Sequence, residues 1–193
     1  MIKEKIYNSF DLAYKDYNLE IKSDHWKIYN KHFLKKIKKI NLENFRKKNI
    51  LSDGLDDQGN FFALVENLID LTDLCGKKFI NEFKENDVGN PDNYYVINRE
   101  KYNFNDLFII QFTYKIRKFL NIVPKRVLEI GGGYGSLAHK IKKLYPNTTL
   151  YLIDLPEAGI LQSYYLSSIY TDKKFFLYED FKKLENALNI DYL

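Results

Sequence analysis

Glu129 and Asp154 stand at the ends of two short apolar runs, and three glycines follow the first acid at two-residue intervals. The stretch reads Val127-Leu-Glu-Ile-Gly-Gly-Gly-Tyr-Gly135, with Gly131, Gly133 and Gly135 in the repeat and Gly132 and Tyr134 between them. Glycine lets a backbone turn sharply and come into contact with a ligand. A carboxylate at one strand end suits a cationic group. A carboxylate at the end of the next strand can accept hydrogen bonds from both hydroxyls of a ribose. The spacing differs from the G-x-G-x-x-G turn of dinucleotide sites, which places two residues before the last glycine.

Other reactive side chains carry less. Cys75 lies in an apolar helical stretch and reads as a small core residue. His25, His32 and His139 sit on or near helices, where a lone histidine is more often structural than catalytic. No catalytic base is assigned among them. Asp53, Asp56 and Asp57 share the turn-rich run 51–60, which reads as a capping turn before a cation site, so no metal is expected. Arg99 with Tyr94, Tyr95 and Tyr102 could line an acceptor pocket, or pack a linker against a sheet.

The elements that must position the glycines follow from periodicity and punctuation. Arg126 to Ile130 is a short apolar strand, and Ser136 to Leu144 a helix with Leu137, Ile141 and Leu144 on one face. Thr149 to Ile153 is a second strand, Glu157 to Tyr170 a second helix, and Lys174 to Tyr178 a third strand-like run. Phe181 to Leu188 looks helical, and Ile190 to Leu193 could begin a fourth strand. Such β-α-β-α-β alternation implies a parallel sheet with helices on its faces. Upstream, helices are expected from Ser23-Asp24 through Ile40, from Phe61 to Leu74, and from an Asn103 or Asn105 cap to about Leu120. An α/β, Rossmann-like domain over 105–193, preceded by a helical cap over 1–104, is the expected organisation. The sheet so read has an unfinished edge, so a C-terminally truncated fragment is expected. The rival is a short protein whose N-terminal helices or dimer partner cover that edge.

Composition narrows the class. The 193 residues are 45% hydrophobic and 29% charged, ordinary for a globular domain. One cysteine excludes an internal disulfide and points to a reducing compartment. The N-terminus lacks an unbroken apolar stretch, and no run reaches the ~18 residues of a bilayer span. A cytoplasmic protein without membrane contact is expected. Residues 1–50 hold 13 Lys/Arg against 6 Asp/Glu, concentrated between Lys31 and Lys48. That cluster reads as a solvated helix face ahead of a nucleic-acid surface.

The glycine stretch resembles motif I of class I S-adenosylmethionine-dependent methyltransferases, and Leu152-Ile-Asp-Leu-Pro-Glu157 resembles the D-L-P turn of O-methyltransferases. The run through Ser163-Tyr-Tyr-Leu166 is most similar to bacterial sugar O-methyltransferases. Phe45-Arg46 and 51–57 extend that likeness faintly. The resemblance implies S-adenosyl-L-methionine as cofactor and methyl transfer to a hydroxyl of a small molecule such as a sugar. It implies that Glu129 faces the cationic methionyl end and that Gly131, Gly132, Gly133 and Gly135 form the loop against the ligand. By the same resemblance Tyr134 flanks the ligand or simply starts the helix, Asp154 binds the ribose, and Leu155 packs on the adenine. Asp180, with Glu179 as rival, meets the adenine amino group or caps the following helix. Two further readings stay open: a non-catalytic S-adenosylmethionine-binding or partner module, and an RNA methyltransferase steered by Lys31–Lys48. A homo-oligomer is compatible with all of them.

Overall fold

The computed structural model describes residues 2–17, 41–47 and 60–188. The helix read over 24–40, most of the basic cluster, the acidic run 51–57 and the fourth strand lie outside the described residues. The chain opens with α1 (Ile2–Asp16), followed by a short 3-10 turn over Leu42–Asn44 and the long helix α2 (Phe61–Phe83). Asn60 caps α2 by accepting from the Phe62 N–H at 2.8 Å. The helix outruns the expected Leu74 because Gly76 supplies a kink at φ 81°, ψ 148° rather than a stop. Two three-residue strands, β1 (Tyr95–Ile97) and β2 (Glu100–Tyr102), form an antiparallel hairpin. Its turn places Asn98 and Arg99 at φ 52° and 67°, the left-handed pair that a two-residue hairpin requires.

Helix α3 (Phe104–Phe119) starts where Asn103 accepts from the Asp106 N–H. The α/β portion follows as β3 (Arg126–Ile130), α4 (Ser136–Leu144), β4 (Thr149–Ile153), α5 (Pro156–Ile169) and α6 (Tyr178–Leu188). Strands β3 and β4 pair in parallel, with Glu129 beside Leu152 and Ile130 beside Ile153. Pro156 opens α5, where its missing N–H costs nothing.

Two expectations are corrected. Among the described residues the parallel sheet has two strands, not three. Residues 174–177 make no ladder: Phe175 and Leu177 turn into the core while Phe176 is exposed, and α6 begins at once at Tyr178. The parallel strands are also not buried on both faces. Val127, Glu129, Leu150 and Leu152 face the helices, whereas Leu128, Ile130, Tyr151 and Ile153 are exposed, Ile130 to 74%. An apolar run therefore predicted the strand correctly and its burial only by half.

One core joins α1 (Ile6, Phe10), the 42–45 turn (Leu42, Phe45), α4 and α5 (Ile160, Leu161, Tyr165). The N-terminal helix thus packs on α5 and α6. A second core joins α2 to α3 through Leu64, Leu71, Ile80, Leu107 and Ile110, with Leu144 of α4 against it. Helix α4, the element entered from the glycines, touches both. No helix of the described residues is long and apolar enough to cross a membrane.

Candidate functional site

The spacing of the glycines is explained by the backbone. Gly131, Gly133 and Gly135 have φ of 74°, 60° and 96°, so every second residue of the bend lies in the left-handed region. The Gly131 N–H extends the ladder to the Ile153 carbonyl at 2.9 Å, and Gly135 caps α4. Gly132 is small for another reason. A Cβ there would lie 2.7 Å from Glu129 Oε1 and 3.0 Å from Gln162 Nε2.

Asp154 is locked against this bend. Its Oδ2 accepts from the Gly133 N–H at 2.8 Å and its Oδ1 from the Leu155 N–H at 2.7 Å. A carboxylate has about four lone-pair sites, so two remain for hydroxyls of a ligand. Burial raises the Asp154 pKa, and the two backbone donors oppose that rise. Leu155, the residue before α5, is half-buried beside it. Glu129 enters the same site from the end of β3. Burial, and then the charge of Asp154, push its pKa up to about 7. No Lys or Arg among the described residues pairs with it. Two carboxylates that burial resists charging, with no cation of their own among the described residues, form a seat for a positive group. The open lone pairs of Asp154 beside it suit a diol.

Tyr134 points the other way. It is 3% exposed, packed edge-on against Phe45 and Tyr165, and donates its hydroxyl to Glu85 at 2.8 Å. The expectation that it flanks a ligand is corrected, because the alternation of the bend sends its ring into the core. Glu85 also accepts from Ser136 Oγ at 2.7 Å and from the Tyr165 hydroxyl. Lys140, fully buried on α4, lies 3.6 Å from Glu85 and 2.7 Å from Asp106. Burial alone would raise the Glu85 pKa, but the Lys140 and Arg46 charges and the Tyr165 and Ser136 hydroxyls bring it down to about 2. Burial would likewise discharge Lys140, yet Asp106 and Glu85 outweigh it and raise its pKa. Arg46 lies 5.0 Å over the Tyr134 ring and donates to the Asn86 carbonyl at 2.9 Å. The back of the glycine bend is therefore fastened to residues far away in sequence.

Asp180 is engaged elsewhere. Its Oδ2 accepts from the Leu177 N–H at 2.9 Å and pairs with Lys5 at 2.6 Å, which is the helix-capping alternative. Glu179 makes an ion pair with Lys183 one turn along α6. His139, on α4, is buried. Its Nδ1 lies 3.0 Å from the Tyr170 hydroxyl, and burial brings its pKa down to about 4. Cys75 donates to the Leu71 carbonyl at 3.1 Å, and burial pushes its thiol up. Arg99 sits exposed in the hairpin turn, Tyr102 is in the α2–α3 core opposite Tyr95 in the hairpin, and Tyr95 packs on Phe61. The described residues contain no His, Cys, Asp and Glu grouping able to hold a metal ion.

The site residues that the sequence did not disclose are Gln162 and Glu85. Gln162 had one signal, a polar amide inside the otherwise apolar inward face of α5. Glu85 had none, because it lies in an irregular stretch whose partners are 49 to 80 residues away.

No curated protein and no solved structure matches the chain. Residues 99–181, which run from the hairpin turn into α6 and include the whole glycine bend, match the family model of the O-methyltransferase domain; this part of the chain is similar to S-adenosylmethionine-dependent methyltransferases.

Proposed function

We propose that the chain binds S-adenosyl-L-methionine at the 131–135 bend and directs methyl transfer to a hydroxyl of a small molecule, a sugar being the acceptor class we favour. The observation that carries this reading is the pair Glu129 and Asp154, placed on one glycine bend within the O-methyltransferase match. The fit is chemical. The cofactor has an ammonium group, a sulfonium and a ribose diol; the site has one carboxylate short of a cation and another with two free acceptor sites. When bound, the cofactor supplies an electrophilic methyl group. Glu129 would hold the cationic amino-acid end, Asp154 the ribose, and Leu155 the adenine. Gly131 to Gly135 would bring bare backbone against the nucleoside. The chain's own contribution to rate is to fix that geometry, since a held near-attack arrangement supplies much of the barrier reduction.

Isothermal titration with S-adenosylmethionine tests the reading directly. Binding is expected for the native chain and its loss for Gly133→Val, because a β-branched residue cannot adopt φ 60° without strain. Absence of binding to the native chain, or undiminished binding to Gly133→Val, would overturn it. Turnover of a sugar panel then identifies the acceptor.

A further inference from the structure

Helix α5 presents Ile160, Leu161, Tyr164, Tyr165 and Leu166 to the core, and Gln162 is buried among them at 5% exposure. Its side-chain amide has polar chemistry and no polar task within the fold. Nε2 is enclosed and makes no hydrogen bond. An enclosed donor without a partner costs about 1–3 kcal/mol, so its retention at a position that an aliphatic residue would fill calls for a reason.

The geometry supplies one. Nε2 and the Glu129 carboxylate converge on the same point at the inner side of Gly132, 3.0 Å and 2.7 Å from where a Cβ would stand. The Gln162 Cγ lies below Gly135 in the same way, 3.1 Å from its would-be Cβ. The amide is thus folded under the bend beside the Glu129 carboxylate, which no described Lys or Arg pairs with. Both glycines leave room for this side chain.

We propose that Gln162 is a positioning residue for Glu129: its amide donates to the Glu129 carboxylate when that carboxylate takes up the cationic amino-acid end of the cofactor. The inference rests on the S-adenosylmethionine reading above. An ionised carboxylate gains more from a donor than a neutral one does, so the bond forms most strongly in the charged, ligand-holding state. The groups acting on Glu129 are then Gln162 from α5 and Asp154 from the junction of β4 and α5, with Glu157 acting in turn on Asp154. Gln162 touches no ligand in this scheme.

The test is a double-mutant cycle read by titration calorimetry with S-adenosylhomocysteine, and with 5′-methylthioadenosine, which lacks the amino-acid end. Gln162→Met is expected to weaken S-adenosylhomocysteine binding about tenfold in the native background. It should change nothing in a Glu129→Gln background, and leave 5′-methylthioadenosine unaffected. It should also shift the midpoint of the pH dependence of binding upward, a readout that mere packing of the bend would not move. Equal losses in both backgrounds, equal losses for both nucleosides, or no loss at all would overturn the inference while leaving the cofactor reading intact. Failure of the native chain to bind either nucleoside would instead overturn the cofactor reading, and this inference with it. Should Gln162→Met fail to fold, Gln162→Glu keeps the shape and turns the donor into an acceptor. A loss confined to S-adenosylhomocysteine then supports the inference, and an equal loss for both ligands overturns it.

Discussion

Glu85 and Glu129 flank the same glycine bend from opposite sides, and burial acts on both. Behind the bend, Glu85 meets the Lys140 and Arg46 charges and three hydroxyl donors, and its pKa falls to about 2. In front, Glu129 meets no described cation and one like charge, and its pKa rises to about 7. Burial by itself resists charge in each case; partners decide the outcome. The back of the bend is a completed structural network. The front is an acidic surface whose electrostatics favour a cationic guest.

The largest effect that bears on this contrast lies behind the bend. Glu85→Ala removes the acceptor of three hydroxyls and leaves Asp106 as the remaining described carboxylate partner of Lys140. Removing one member of a buried ion cluster is expected to cost about 3–5 kcal/mol, read as a drop in the unfolding free energy in urea. A loss below about 1 kcal/mol would show that Glu85 is not the structural member of the pair.

In front of the bend the expected effects are on binding and pH. A protonated Glu129 cannot take an ammonium group, so affinity for S-adenosylhomocysteine should fall as pH drops below about 7. The limiting slope is about tenfold per pH unit, and Glu129→Gln should flatten it. Stability of the ligand-free chain should run the opposite way. The folded pKa lies above the ordinary 4.5, so the contribution of Glu129 is complete below pH 4.5 and lost as pH rises through 7. Melting temperatures of the native chain and Glu129→Gln, compared across that window, check the sign. Parallel curves would place the ionisation elsewhere.

The smallest effect sharpens the assignment of Tyr134. Tyr134→Phe keeps the ring against Phe45 and Tyr165 and removes the hydroxyl bond to Glu85. A cost of about 1 kcal/mol in stability is expected, with cofactor affinity unchanged. A loss of affinity without loss of stability would return Tyr134 to the ligand side.

Much of the α/β portion was legible because its signals are local. Three alternating glycines encode three left-handed backbone positions, and the apolar runs 126–130 and 149–153 coincide with β3 and β4. Asn103 and Pro156 mark helix starts through their own chemistry. Residues 174–177 misled because a short apolar run becomes a strand only beside a partner, and here Phe175 and Leu177 found a core instead. Asp180 was undecided in sequence because helix cap and ligand acceptor need the same carboxylate at a helix start. Lys5, 175 residues earlier in the chain, claims it.

The sequence alone determined the bend, the strands that lead into and out of it, and the two carboxylates at its ends. These follow from φ preferences, side-chain volume and apolar runs, which act within a few residues. Only the tertiary structure decided that Tyr134 turns inward, that Glu85 is neutralised by Lys140 and Arg46 while Glu129 is not, and that Gln162 lies under the bend. Charge state and burial depend on what the folded chain brings within a few ångströms, and that proximity is written in no single stretch of residues.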